Sequence, residues 1–175
     1  GSTFKMCTLV AAMENRDKYG NLLYTPGEII TDKGVFTKYA GFSPTCLIWS
    51  SNPGATHGDL DATAALKVSC NYFFYELGSR MTIDMLDQTA KGLGLGEPTG
   101  IELTEKTGWR TNAESKKATY GETGVDSQIT AGDRVLAAIG QAENRFTPLQ
   151  LCVYASTLAN QGTRMKATFL SRVVS

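Results

Sequence analysis

A chain of 175 residues that is 42% hydrophobic, with 17 basic against 17 acidic side chains, is one domain of ordinary size with the makings of a core. Zero net charge removes the electrostatic argument for nucleic acid or an anionic membrane surface as partner. The sequence has no transmembrane run and no signal peptide, so the anchor of a membrane-bound parent is expected outside this chain. In chain order, Phe4, Cys7, Leu9, Val10 and Met13 recur at helical spacing and predict a first helix from Thr3 to about Asn15, with Ser2 at its N-cap or first turn. From Asp17 to Pro53 the pattern changes, and GEIITDKGVFTKYAGFSP predicts short strands and turns, a small hairpin region. SSNPGATHGDLD reads as loop. DATAALKVS predicts a short helix, and CNYFFYELGSR its continuation or a second helix, ended near Gly78. Thr82 caps TIDMLDQTAKGLG, with Gly92 as the stop. Residues 94–128, rich in Gly, Thr and charge, read mostly as loop, and ITAGDRVLAAIG as a short helix. In TPLQ, Thr147 caps the last helix, Pro148 fits its first position and Gln150 completes a capping box; it runs to about Asn160 and Gly162 ends it. TFLSRVVS then alternates as a strand would.

Two short patterns carry chemistry. Ser2 and Lys5 form an S-x-x-K, and residues three apart share a helix face. A serine hydroxyl is a weak nucleophile until a base takes its proton, and a lysine is such a base once burial or nearby cations lower its pKa. The free N–H groups at a helix start can also stabilise an oxyanion. The second pattern is Ser69-x-Asn71, where a hydroxyl can relay a proton and an amide can bind a peptide bond. Each is weak alone; WSSNPG holds another S-x-N, before a proline in a predicted loop, and is given no role. Cys7, Cys46, Cys70 and Cys152 lie far apart with no C-x-x-C pair, and His57 is the single histidine. That spacing argues against a zinc site and for free or buried thiols, with one disulfide as the alternative.

GSTFKM, HGDLD, SCNYFFYELG, GLGLGEPTGIEL and IGQAENRFTPLQLCVYASTLANQGT, in this order from Gly1 to about Lys166, resemble the transpeptidase domain of a class B penicillin-binding protein. The resemblance implies an α/β fold of the β-lactamase/transpeptidase type. This chain would be a fragment of that domain over residues 1–175, mostly helical, with a small hairpin region and most of the central sheet missing. It implies Ser2 as the acylated nucleophile, Lys5 as the base, Ser69 as the proton relay and Asn71 as the group that holds the substrate's amide backbone. The implied reaction is acyl transfer from the D-Ala-D-Ala end of a peptidoglycan stem peptide, with β-lactams acylating the same serine. No metal and no organic cofactor is expected, and the parent is expected to work at the outer face of the cytoplasmic membrane beside other cell-wall synthesis proteins. The alternatives are a serine β-lactamase and a non-hydrolysing β-lactam sensor. Against class A stands Cys70 in place of aspartate and the lack of an E-x-x-L-N stretch; against class D and its sensors stands S-x-N where S-x-V belongs. Tyr19-Gly20-Asn21 precedes Ser69 rather than following it, GLGLGEPTG follows a helix where a dinucleotide fingerprint follows a strand, and His57 reads as structural. The family's K-T-G belongs on a strand after the TPLQL helix. The chain's one K-T-G, Lys106-Thr107-Gly108, comes before that helix and reads as coincidental.

Overall fold

A computed structural model describes residues 1–123 and 125–170. A single 3₁₀ turn, Ser2–Phe4, runs straight into helix α1, Lys5–Glu14. Seven more helices follow: α2 Leu47–Ser51, α3 Ala62–Lys67, α4 Asn71–Arg80, α5 Ile83–Gly92, α6 Ala113–Tyr120, α7 Ala131–Ala137 and α8 Pro148–Ala159. Strands β1 (Ile30–Asp32) and β2 (Gly58–Leu60) pair antiparallel, Ile30 opposite Leu60 and Asp32 opposite Gly58. They form the one sheet among the described residues.

The first helix falls where its spacing places it, but its buried face differs. Phe4, Lys5, Cys7, Thr8, Ala11 and Ala12 are the residues lost to solvent, while Leu9 and Val10 are half-buried and Met13 is exposed. The small side chains Ala11 and Ala12 allow close packing where α1 meets α4 and α5, so the bulkier apolar residues point elsewhere. Val10 lines an open groove of about 800 Å³ with Met85 and Leu93 from the α5 side and Leu158 from α8.

Two boundaries depart from the sequence pattern. The hairpin expected within residues 17–53 does not close there, because β1 takes its partner from the HGDL stretch read as loop. The other pairings in that region are single bridges, Arg16 with Leu22, Val35 with Thr45 and Tyr39 with Phe42. Gly78 does not end α4; it lies in the helix interior, where an added Cβ would stand 2.7 Å from the Ala138 Cβ and 3.0 Å from the Arg134 carbonyl. The glycine lets α4 close on α7, which outweighs its poor helix propensity. The DATAALKVS and CNYFFYELGSR segments form two helices. Asp61 caps α3, the backbone turns at Ser69 with φ +52°, and the Cys70 sulfur caps α4 by accepting from Phe73 N–H.

Within the region read as mostly loop, Asn112 and Ser115 form a reciprocal capping box that starts α6. At α8 the expected box is present: Gln150 N–H donates to the Thr147 hydroxyl and Thr147 N–H to the Gln150 side-chain Oε1. The Gln150 amide nitrogen also donates to Glu97 O and Thr107 O, at 2.8 and 2.6 Å, and so anchors the long 94–110 connection to the core. Residues 168–170 are not in a strand, and the rest of TFLSRVVS lies outside the described residues.

Candidate active site

The first turn of the chain is held from several sides. The Gly1 nitrogen donates to Gly140 O at 2.9 Å, and Tyr154 Oη donates to Thr3 O at 3.0 Å. Phe4 stacks on Phe146 with ring centroids 5.7 Å apart, and Thr8 Oγ1 donates to Ala138 O at 2.7 Å. Gly140 has φ +75°, and an added Cβ would meet Gly1 O at 2.3 Å, so the segment after α7 can come this close only through a glycine. These contacts fix the Ser2 turn while leaving Ser2 itself exposed.

One turn on, Lys5 is 1% exposed. Its ammonium donates to Asn71 Oδ1 at 2.6 Å, Ser69 O at 2.7 Å and Ser69 Oγ at 3.0 Å, which uses all three donors. The Phe74 ring lies 5.5 Å from Nζ and walls it from solvent. Burial lowers the Lys5 pKa from 10.5 to about 8, partly offset by the sulfurs of Cys70 and Cys46. The helices α3 and α4 present this pair because Ser69 takes a left-handed backbone between them and Asn71 opens α4. Asn71 accepts from Lys5 through its carbonyl oxygen, and its side chain also hydrogen-bonds the Tyr75 hydroxyl; an amide NH₂ has two protons, so one donor can still serve a ligand. The structure thus brings Lys5, Ser69 and Asn71 together, with Ser2 on the same helical turn as Lys5. Among the described residues no hydrogen bond joins the Ser2 hydroxyl to Lys5; such contacts commonly tighten only once substrate is bound.

The other motifs fall away from this site. Lys106-Thr107-Gly108 lies in a loop that pairs through Trp109 with Arg145 and is bound by Gln150. Tyr19 and Asn21 sit in an exposed turn around Asp17, whose carboxylate accepts both their N–H groups.

Behind the site the spacing argument against a metal fails. Asp32 at the end of β1, Cys46 before α2, His57 before β2 and Cys70 before α4 place their ligand atoms within 4.8 Å of one another. The Asp32 carboxylate accepts from His57 N–H at 3.0 Å and lies 2.8 Å from His57 Nδ1. It also accepts Gly34 N–H at 2.7 Å and the Cys70 thiol at 3.5 Å. Burial works against its charge, but the donors from His57, Gly34 and Cys70 prevail and hold its pKa below the usual carboxylate range. Cys46 Sγ is 3.6 Å from His57 Nδ1 and 3.7 Å from Cys70 Sγ. Two sulfurs, an imidazole and a carboxylate are the donor set and number of a tetrahedral zinc-type site, and all four are largely shielded from water. A divalent ion held here would cross-link four segments rather than meet a substrate. Long-range ligation of this kind leaves no C-x-x-C in the sequence. His57, read from the sequence as structural, takes its partners from β1 and two helix caps. All four cysteines are free thiols in this structure.

The sequence model described as "Penicillin binding protein transpeptidase domain" matches residues 1–175. The chain belongs to this family. It is 33% identical over 110 residues to the peptidoglycan D,D-transpeptidase MrdA of Acinetobacter baumannii, covering 62% of this chain and 16% of that one. To the peptidoglycan D,D-transpeptidase PbpA of Mycolicibacterium smegmatis it is 28% identical over 170 residues, covering 95% and 29%. The complex of penicillin-binding protein PBP2 with MreC from Helicobacter pylori contains a similar fold, with a TM-score of 0.82 at 23% identity over 98% of this chain and 29% of that one. The chain therefore spans between about a sixth and under a third of the length of these relatives. The two-stranded, helix-dominated fold is a part of the penicillin-binding transpeptidase domain, as the motif order implied.

Proposed function

We propose that the protein containing this chain is a peptidoglycan D,D-transpeptidase that works through a Ser2 acyl-enzyme. The observation that carries this reading is the buried Lys5, held by Ser69 and Asn71 one turn from an exposed serine at a helix start. In this reading Ser2 Oγ attacks the carbonyl carbon between the two terminal D-alanines of a stem peptide, and neutral Lys5 takes the proton. Ser69, in hydrogen-bond contact with Lys5 Nζ at 3.0 Å, passes a proton to the departing amine of D-alanine. The helix-start N–H groups face the developing oxyanion, and the Asn71 amide nitrogen binds the substrate backbone. An amine from a second stem then takes the acyl group. In this reading a β-lactam acylates the same serine and is released slowly. MrdA and PbpA, the similar D,D-transpeptidases, support the reaction class. In this reading the protein works beside other cell-wall synthesis proteins at the outer face of the membrane, where its substrate lies. Among the described residues no helix is long and apolar enough to cross a membrane.

The test is intact-mass analysis before and after a penicillin, on the protein extended through its downstream K-T-G strand. A single adduct on Ser2, lost in Ser2→Ala and persisting for many minutes, is the expected result. Rapid release would mark a β-lactamase, and no adduct at all would sink the mechanism. The lowered Lys5 pKa adds a pH signature. The base acts when neutral, so the acylation rate should rise about tenfold per pH unit below about 8 and level off above it. A profile flat between about pH 6 and 9 would exclude Lys5 as the titrating base.

A further inference from the structure

Cys46 and Cys70 each precede a helix, come from distant parts of the chain and bring their sulfurs to 3.7 Å. A disulfide bond is about 2.05 Å long, so closing the gap asks for roughly 1.6 Å of movement shared between two side chains. We propose that Cys46 and Cys70 are a reversible redox pair, and that joining them displaces the Ser69–Asn71 segment and slows acylation at Ser2. The link to the site is covalent. Cys70 stands between Ser69 and Asn71, the two residues that hold Lys5, and its sulfur both caps α4 through Phe73 N–H and donates to Asp32. Drawing that sulfur toward Cys46 gives up the cap and the Asp32 contact. It also strains a serine already held at φ +52°, a backbone that non-glycine residues adopt at a cost. The contrast with the other two cysteines is sharp: neither Cys7, buried in α1, nor Cys152, exposed on α8, has another sulfur in contact among the described residues.

The chemistry needs an oxidant, and a small-molecule disulfide such as oxidised glutathione supplies it. One thiol, losing its proton, attacks a sulfur of that disulfide and expels one small thiol. The second protein thiol, losing its proton, attacks the mixed disulfide and expels the other. The sum is two S–H bonds lost, one S–S bond formed in the protein, and two electrons and two protons passed to the oxidant. Both residues are fully buried, so exchange proceeds through local opening and is slow. A divalent ion on the same two sulfurs competes with oxidation directly, because a sulfur bound to the ion is not free to attack. The coupling to acylation rests on the transpeptidase reading above; the disulfide itself does not.

The experiment treats the protein extended through its K-T-G strand with oxidised glutathione after chelation, and in parallel with zinc added first. The protein is then unfolded, alkylated and mapped. The expected result after chelation is a Cys46–Cys70 cross-linked peptide with the mass of two hydrogens missing, Cys7 and Cys152 alkylated, and formation at least tenfold slower with zinc. Four alkylated cysteines after prolonged oxidation, or only a stable glutathione adduct, would overturn the redox pair. Penicillin acylation is measured on reduced, oxidised and re-reduced protein. Slower acylation restored by reductant is expected. Equal rates in the reduced and oxidised forms would overturn the coupling, whereas no acylation even when reduced would count against the transpeptidase reading and leave the thiol result standing.

Discussion

Replacing Lys5 with methionine is expected to slow penicillin acylation of Ser2 by about 10³-fold while the protein stays folded. The size follows from the work asked of the lysine. In the proposed mechanism its amine takes the serine proton during attack, and its ordinary competitor is water, a far weaker base at neutral pH. The retained fold follows from what methionine keeps and loses. It has nearly the length of lysine, fills the space beside Phe74 and carries no charge that must be buried. What it forfeits is three hydrogen bonds, to Ser69 O, Ser69 Oγ and Asn71 Oδ1. Acceptors left without donors cost about 1–3 kcal/mol each where water cannot reach, but Ser69 and Asn71 are both only half-buried. Relief from burying an ammonium offsets part of that loss. A melting temperature within a few degrees of the parent, with acylation timed by a fluorescent penicillin, separates the two effects. A rate within tenfold of the parent, with the fold intact, would remove Lys5 as the base. Lys5→Arg should be as slow as the methionine variant, because a guanidinium stays protonated at every working pH.

The residues of the proposed acylation site are legible in the sequence because they lie on local patterns. S-x-x-K occupies one helical turn, S-x-N occupies the break between two helices, and both stand in a family order of motifs. The start of α8 is legible for the same reason: Thr147, Pro148 and Gln150 satisfy orphan backbone groups among themselves, whatever the rest of the chain does. Helix α6 carries an equally local signal in Asn112 and Ser115, hidden by a surrounding excess of Gly, Thr and charge. The failures are non-local. Ile30–Asp32 has strand-like residues, but nothing within it says that Gly58–Leu60, past a helix and a proline turn, will be its partner. The buried face of α1 is set by its neighbours, which select Ala11 and Ala12 for their small size over the more apolar Leu9 and Val10. The sulfur–imidazole–carboxylate cluster is the strongest case. Its four members come from positions 32, 46, 57 and 70, and their meeting depends on the β1–β2 pairing that periodicity does not disclose. Once Asp32 and Gly58 are known to face each other, His57 is carried to Asp32 and the cysteines at the two helix starts close around them.

That dependence gives the second large effect. Asp32→Ala is expected to cost about 3–5 kcal/mol of stability, the usual result of removing one member of a buried, hydrogen-bonded charged group. Asp32 is 2% exposed, and its carboxylate is the common acceptor for Gly34 N–H, His57 N–H and the Cys70 thiol, and lies beside the His57 ring. Alanine strands these groups together, and the Cys46 sulfur beside His57 and Cys70 is only a weak acceptor in place of a carboxylate. For a protein of this size a loss on that scale lowers the melting temperature by on the order of 10 °C. Asp32→Asn should fall between, since the amide keeps the shape and one acceptor but turns an N–H₂ toward groups that are themselves donors. Thermal melts of the three proteins, each with and without excess zinc, separate packing from ligation. Ion binding to the native cluster should raise the melting temperature of the parent and leave Asp32→Ala unmoved. A melting temperature for Asp32→Ala within 2–3 °C of the parent would mean that the carboxylate is not what joins β1 to the back of the Ser69–Asn71 segment. If it does fall, acylation should fall with it even where the protein is still folded, because the chain that carries Cys70 also carries the two groups that hold Lys5.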